Sequence, residues 1–325
     1  MEITYLSRAD VRRVDVSMKA ILGAVERGLQ LKGLQKVELP AKVGLHPRDN
    51  CFIHALTAYV QDIEYAGVKW SSGFPSNPQK GLPYINGLII INDTDTGLPK
   101  AVMDCAWITS MRTGASVGVA AKYLAVPACS RAAFVACGVQ ARTSVAALVE
   151  ACAQLKTIYC YDLHTQATRG FINDMQQTFS QLEFVACSDV QRCIRDVDIV
   201  VTSTPIVTKP EPILDAGDIK PGALAVSLDY DAAWSNAAMA ECELFASDDI
   251  HQLTETMRHG FYFQNLPDLR YTDLGEIVAG SKPGRTNPMQ RIFSMNMGIA
   301  VHDMMTAKLV YEKAQAENIG TILPL

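Results

Sequence analysis

From about residue 130 the chain carries five short, nearly unbroken apolar runs: "AAFVA" (132–136), "TIYCYD" (157–162), "VDIVVTSTP" (197–205), "ALAVSLD" (223–229) and "ELFASD" (243–248). Strands exposed on one face alternate apolar with polar residues, whereas continuous runs belong to strands buried on both faces. Most of these runs are separated by helical stretches. Alternation of β and α with doubly buried strands predicts a doubly wound parallel sheet.

The first run leads into "RAAFVACGVQARTS" (131–144). A dinucleotide-binding turn places GxGxxG between a strand and a helix N-terminus, where backbone amides meet the pyrophosphate. Ala136, Gly138 and Ala141 occupy those three positions here. The middle glycine is kept, alanine is tolerated at the third, and the first position must close its turn around a methyl group. By itself the stretch also suits an ordinary strand-to-helix turn. Asp162, 24 residues after Gly138 and at the end of the next run, adds context. A carboxylate there takes both ribose hydroxyls and repels a 2′-phosphate, favouring NAD(H) over NADP(H). Arg169 nearby complicates that preference. Thr202, Ser203 and Thr204 end a further run, on the nicotinamide side. Cys137 lies in the turn, where a helix N-terminus lowers a thiol pKa.

Other features exclude whole classes of function. The formal net charge is −5, without a basic run, which argues against nucleic acid or an anionic membrane as partner. No stretch reaches signal-peptide or membrane-span character. Nine cysteines are scattered without a CxxC pair, and six histidines lack HxxxH spacing, so no metal site is suggested. Cysteines inside apolar runs read as core residues of a cytoplasmic protein.

The first half has a different texture. Ser7 with Asp10 resembles a capping box, Asp15 is placed to cap a second helix, and residues 7–32 read as helical. Short strands around "KVELPAKVGL", "CFIHALTAYV", "AGVKWSS" and "GLIIIND", joined by turn residues, predict a mainly antiparallel sheet. "KAVMDCAW" adds a strand, and "ITSMRTGASVGVAAKYLA" reads as a helix with Thr109 at its cap. Gly114 and Gly118 either weaken that helix or allow close packing. The stretch from Met295 to Glu317 reads as a final helix, with Met297, Val301, Met304 and Met305 as a packed face.

Lys69 follows Val68 in an apolar strand, where it must find a partner or snorkel to water. Arg112, early in its helix, opposes the helix dipole. It suits either a structural ion pair or the grip of a carboxylate ligand.

These segments carry a resemblance. "AGVKW…GFPSN…KGLP", "NDTDTGLPKAVMD", "ITSMRTGASVGVAAKYLA", "ACGVQAR", "DIVVTSTP" and "GIAVHDMMTAKLVYEKA" resemble the ornithine cyclodeaminase/mu-crystallin family, in the family's order and over most of the chain. The resemblance implies an α/β protein and a homodimer. Residues 1–125, completed by 296–325, would form a substrate-binding and dimerisation domain. Residues 126–295 would form an inserted NAD-binding Rossmann domain. It further implies NAD(H)- or NADP(H)-dependent chemistry on a small α-amino or α-imino acid. Lys69 would bind the substrate carboxylate and polarise or protonate the imine, with Arg112 clamping the same group. Lys42 would stand where the family carries an arginine. Asp229 would be the acid–base group, with Asp231 as second choice. Cofactor contacts are expected from Thr113, Gly138, Val139, Gln140, Asp162, Thr202, Ser203 and Thr204.

Cyclodeaminases carry a glutamate upstream of the lysine, and this chain has His54 in that region. Tyr84 and Asn86 suit a neutral or hydrogen-bonding substrate side chain. The favoured activity is therefore imine reduction or amino-acid oxidation. A cyclodeaminase that returns its hydride, and a crystallin-like nucleotide-binding protein without turnover, are the alternatives.

Overall fold

β1 (Glu2–Leu6) runs into α1 (Arg8–Val14) through the capping box: Ser7 Oγ accepts from the Asp10 amide at 3.2 Å and the Ser7 amide donates to Asp10 Oδ2 at 3.1 Å. Asp15 does not cap the second helix as expected. It closes α1 in the left-handed region at φ 46°, a conformation that Asp tolerates better than most residues. Ser17 caps α2 (Met18–Gly33) instead. β2 (Val37–Glu38), β3 (Val43–Leu45), β4 (Phe52–Val60), β5 (Tyr65–Gly73), β6 (Ile85–Asp93) and β7 (Pro99–Asp104) follow. α3 (Ala106–Leu124) begins three residues before Thr109, where Asp104 Oδ1 accepts from the Ala106 amide at 3.0 Å.

The second half supplies β8 (Arg131–Val135), α4 (Val139–Ala151), β9 (Thr157–Tyr161), α5 (Thr165–Thr178), β10 (Glu183–Ala186), α6 (Val190–Ile194), β11 (Ile199–Thr202) and β12 (Leu224–Ser227). Then come α7 (Asn236–Ala240), β13 (Leu244–Ser247), α8 (Ile250–His259), β14 (Tyr271–Asp273), α9 (Leu274–Val278) and β15 (Ile292–Met295). α10 (Ala300–Ala316) and β16 (Thr321–Pro324) end the chain. This computed structural model describes residues 1–260, 262, 263, 266 and 269–325.

The chain divides into two units. One comprises Met1–Arg112 and Ile299–Leu325, the other Thr113–Gly298. The first division falls inside α3, whereas the sequence placed it after that helix. The final helix starts at Ala300, not near Met295, because β15 runs through Met295 and Gly298 sits at φ 78°.

The first unit is built on one sheet in the order β16-β1-β7-β6-β5-β4-β2, with β3 also on β4. All its pairs are antiparallel except β1 with β7. α10 packs on β4, β5 and β6 and against α2. It is sheathed in core side chains, with Val301, Met304 and Met305 all buried. Registered partners share a sheet face. Leu56, Lys69, Ile89 and Met103 therefore lie on the helix-covered side. Val43, Ala55, Trp70 and Leu88 form a row on the other.

The second unit is a parallel sheet in the order β10-β9-β8-β11-β12-β15-β13-β14 among the described residues. Its first five positions run 3-2-1-4-5 in chain order, the doubly wound arrangement, with the reversal between β8 and β11. In its core Phe245 stacks on Phe293 at a centroid distance of 5.1 Å, and Trp234 meets Phe293 edge-to-face at 5.6 Å. Among the described residues no helix is long and apolar enough to cross a membrane.

Candidate functional site

Three charged side chains meet inside the first unit. Lys69 comes from the middle of β5, Arg112 from the second turn of α3, and Asp303 from the first turn of α10. Lys69 Nζ lies 2.9 Å from Asp303 Oδ1 and 2.8 Å from Oδ2, and Arg112 Nε donates to Oδ1 at 2.9 Å. All three are buried. Burial and the nearby Arg112 charge push Lys69 down to about 8, against the pull of Asp303. Two cations thus share one carboxylate, a net positive charge among these three buried side chains. Buried charge without a partner is costly, and a ligand carboxylate is the natural remedy. Among the described residues Arg112 engages only its Nε, so its terminal nitrogens keep the fork that a carboxylate fits.

The positive field extends along β4. His54, opposite Ser71 in the register, is stacked on Phe52 at 4.3 Å. Burial, with Lys42, His46 and Lys69, pushes it down to about 2, so the ring is neutral. Lys42, partly buried, thus belongs to the same electrostatic neighbourhood. His302, beside Asp303, is fully buried and driven well below its ordinary value by burial and then by Arg112.

The sequence reading missed Asp303, although it sat in a quoted segment. The signal was available: a carboxylate within "AVHDMM", in the first turn of a helix with a packed apolar face. Asn86 departs from expectation. By register it pairs with Ser72 and lies on the face of Trp70 and Leu88, away from Lys69, and its amide donates to Pro83 O at 2.8 Å. Tyr84 is partly buried just before β6, and burial, with Cys51 nearby, raises its hydroxyl pKa.

In the second unit the expected nucleotide turn joins β8 to α4. Ala136 stands at φ 74°, so the first fingerprint position does adopt the left-handed backbone that glycine prefers. Gly138 is the N-cap of α4, no side chain caps that helix, and a Cβ on Gly138 would have nothing within 4 Å. The open space over a helix N-terminus fits a pyrophosphate. Val139 is 61% exposed in the first turn, and Gln140 keeps a buried amide oxygen without a partner among the described residues. Arg142 braces the turn by donating to Cys137 O and Gly138 O at 2.8 and 3.1 Å. Thr113 is buried at the start of the unit, where its carbonyl accepts from Ser116 Oγ at 2.8 Å.

Asp162 follows β9 at the same strand ends. Its oxygens accept from the Cys137 and His164 amides at 2.9 and 2.8 Å. Each keeps lone pairs for ribose hydroxyls. This ties the second strand to the turn. Cys137 departs from its helix-terminus expectation: burial, then the Asp162 charge, pushes it up to about 12.

Asp229 sits at the centre of a hydrogen-bond network. It is fully buried, and four donors occupy it: Thr202 Oγ1 and Ser227 Oγ on one oxygen, the Thr204 amide and Oγ1 on the other, at 2.7–2.8 Å. Trp234 Nε1 in turn donates to Thr202 Oγ1 at 3.1 Å. Burial raises the Asp229 pKa against these bonds. The expected acid–base group is thus the hub of a network that shapes the 202–204 turn, and the Thr202 and Thr204 hydroxyl protons are spent inside it. Ser203 ties the same turn to the first strand: its amide donates to Val135 O at 3.1 Å, and its Oγ to Ala136 O at 3.4 Å. Asp231 accepts from the Phe263 amide at 2.8 Å, and burial raises it too. Among the described residues no group of three or more side chains suits a metal ion.

Comparison with known proteins places the chain among relatives over nearly its whole length. Residues 2–318 match the ornithine cyclodeaminase/mu-crystallin family. The chain is 31% identical to the alanine dehydrogenase of Archaeoglobus fulgidus over 329 residues, covering 99% of this chain and 98% of that protein. Among solved structures, the Thermococcus litoralis Δ1-pyrroline-2-carboxylate reductase in complex with NADH and L-proline superposes with a TM-score of 0.87 at 30% identity, covering 98% of this chain and 99% of the other. An archaeal alanine dehydrogenase dimer with bound NAD gives 0.89 at 29% identity, over all of both chains.

Proposed function

The chain belongs to the ornithine cyclodeaminase/mu-crystallin family, and from that premise we propose that it is an NAD(H)-dependent oxidoreductase acting on a small α-imino or α-amino acid. The observation that carries the reading is the buried Lys69–Arg112–Asp303 cluster with its excess positive charge. The terminal nitrogens of Arg112, with Lys42, take the substrate carboxylate. Asp303 neutralises one cation and aims Lys69. Gly138 and Asp162 would hold NAD(H), which when bound would supply or accept a hydride. Lys69, brought near neutrality, gives the matching proton to the imine nitrogen, so that C=N becomes CH–NH. Fixing the carboxylate orients the α-carbon, an effect of several kcal/mol in general. Asp229 shapes the 202–204 turn and does not exchange protons with substrate. Asp162 makes the preference NAD(H) over NADP(H), since its charge opposes a 2′-phosphate.

The protein is further read as a homodimer through the open sheet face. Val43, Leu45, Trp70 and Leu88 are 68%, 59%, 47% and 41% exposed there. Contiguous apolar exposure of that kind marks an association surface.

The testing experiment follows NADH absorbance with 2-oxo acids plus ammonium or methylamine and with cyclic imines, beside L-ornithine with NAD and proline detection. NADH oxidation with one imine is the expected result. Proline formed without net change in NADH would assign cyclodeamination. Silence throughout, with NADH still bound, would assign a binding role.

A further inference from the structure

The sheet face that holds Lys69 continues in one direction as a row of basic side chains. Leu56 pairs with Lys69 and His54 with Ser71, so His54 is the diagonal neighbour of Lys69 on the same face, about 7–8 Å away between backbones. Gly44 of β3 pairs with His54. Alternation brings Lys42 and His46, two residues to either side of Gly44, to that face as well. The rings of His46 and His54 stand 6.1 Å apart, edge to face, and Phe52 stacks on His54 at 4.3 Å. Gly44 makes room for both imidazoles: a Cβ there would come 2.5 Å from His54 Cδ2 and 3.6 Å from His46 Cε1. Exposure rises along the row, from buried Lys69 and Ser71 through partly buried His54 to exposed His46. The registered rows from Lys69 to this end of the strands, His54–Ser71–Gly87 and Phe52–Gly73–Ile85, carry no carboxylate. Asp303 is already closed on Lys69 and Arg112. Lys42, His46 and Lys69 act in the same direction as burial on His54, keeping its ring neutral.

We propose that His54 and His46 form a second anion-binding position, so that the substrate is a dicarboxylic imino or amino acid, an assignment that rests on the proposed oxidoreductase function. Arg112 and Lys42 take the α-carboxylate and Lys69 faces the imine nitrogen. The substrate side chain, one or two methylene groups ending in a carboxylate, runs along the strands toward His54. Asn86, which would have suited a neutral side chain, lies on the opposite face. Each imidazole offers an N–H to a carboxylate oxygen. A carboxylate within reach favours the charged ring and offsets the mutual repulsion of the surrounding cations. A side-chain ammonium, such as that of ornithine, would meet the same field with the wrong sign.

The test compares NADH oxidation with imines formed in ammonium from oxaloacetate and 2-oxoglutarate against those from 2-oxobutyrate and 2-oxovalerate, whose side chains are neutral. kcat/KM should favour the dicarboxylic substrates about tenfold or more, as a hydrogen bond to a charged group implies. His54→Leu should reduce that preference, and His54→Glu should reverse it by placing a like charge at the subsite. The preference is a ratio taken on one preparation, so a variant that folds only in part still reports it. Titrating the NADH complex with succinate and with butyrate, followed by NADH fluorescence, makes the same comparison without turnover. Succinate should bind about tenfold more tightly. Wild-type protein that reduces the neutral imines as well or better, or a preference unmoved by both His54 variants, overturns the dicarboxylic assignment and leaves the oxidoreductase reading intact. Equal binding of succinate and butyrate overturns the subsite. NADH oxidation with none of the four imines counts against the oxidoreductase reading instead, and the two titrations then decide the subsite alone.

Discussion

Lys69 is held between opposed influences, burial and Arg112 pushing it down and Asp303 pulling it up, with a result of about 8. If it donates the proton in reduction, kcat/KM for the imine should be flat below that value and fall as pH rises through it. Oxidation of the amine needs the neutral form and should rise over the same interval. Lys69→Ala should remove the inflection and cost about a hundredfold or more in turnover, with NADH binding by fluorescence nearly intact. Full activity in that variant would dismiss the site. Asp162 makes a separate statement at the same scale. Asp162→Ala should weaken NADH binding and narrow the gap between NADH and NADPH in titrations with each; unchanged selectivity would refute its assigned role. The residues themselves drew attention in the sequence because a lysine in a strand and an arginine early in a helix each needed a reason. Asp303 did not, since a lone carboxylate in a helix looks ordinary until its neighbours are known.

Helices and strands place these groups, and two glycines show how differently a missing side chain can matter. Gly114 of α3 faces α4 so closely that a Cβ would come 2.5 Å from Thr143 C and O. Gly114→Ala should destabilise by about 1–3 kcal/mol through overpacking, visible as a lowered Tm. Gly138→Ala meets nothing. It should keep or slightly raise the Tm while weakening NADH by about tenfold, or 1.4 kcal/mol, because the methyl group stands where a phosphate must approach. A Gly138 variant with unaltered affinity would move the pyrophosphate elsewhere. The sequence allowed Gly114 either of two roles, and packing decided between them. β11, β12 and β13, four residues each, were legible as unbroken apolar runs. β10, β14 and β15, three or four residues each, were not, lacking turn signals strong enough to set them apart. Helix starts were legible only where the capping residue was unambiguous: Ser7 was, whereas Asp15 and Ser17 competed within three positions.

At the scale of the whole molecule the open sheet face carries the prediction. Trp70→Glu with Leu88→Glu should shift the light-scattering mass from twice the 35.4 kDa chain to the chain alone, since buried charge opposes an apolar interface. A double variant that keeps the doubled mass would relocate the interface. Asp229 belongs to this scale as well, for three of its four donors come from the distant 202–204 turn, which no linear pattern brings to it. The sequence alone determined the fold class, because continuous apolar runs alternating with helices have few other ways to be buried, and the turn at 136–138, because backbone geometry there depends on neighbours in the chain. It also marked Lys69 and Arg112 as residues whose charge needed a reason, with snorkelling left open for the lysine. Only tertiary structure decided that Asp303 is their shared partner and that Asp229 is enclosed by four donors. It likewise decided that Asn86 faces away from Lys69. Those facts depend on register and on contacts between distant segments, where a one-residue shift turns a side chain to the opposite face.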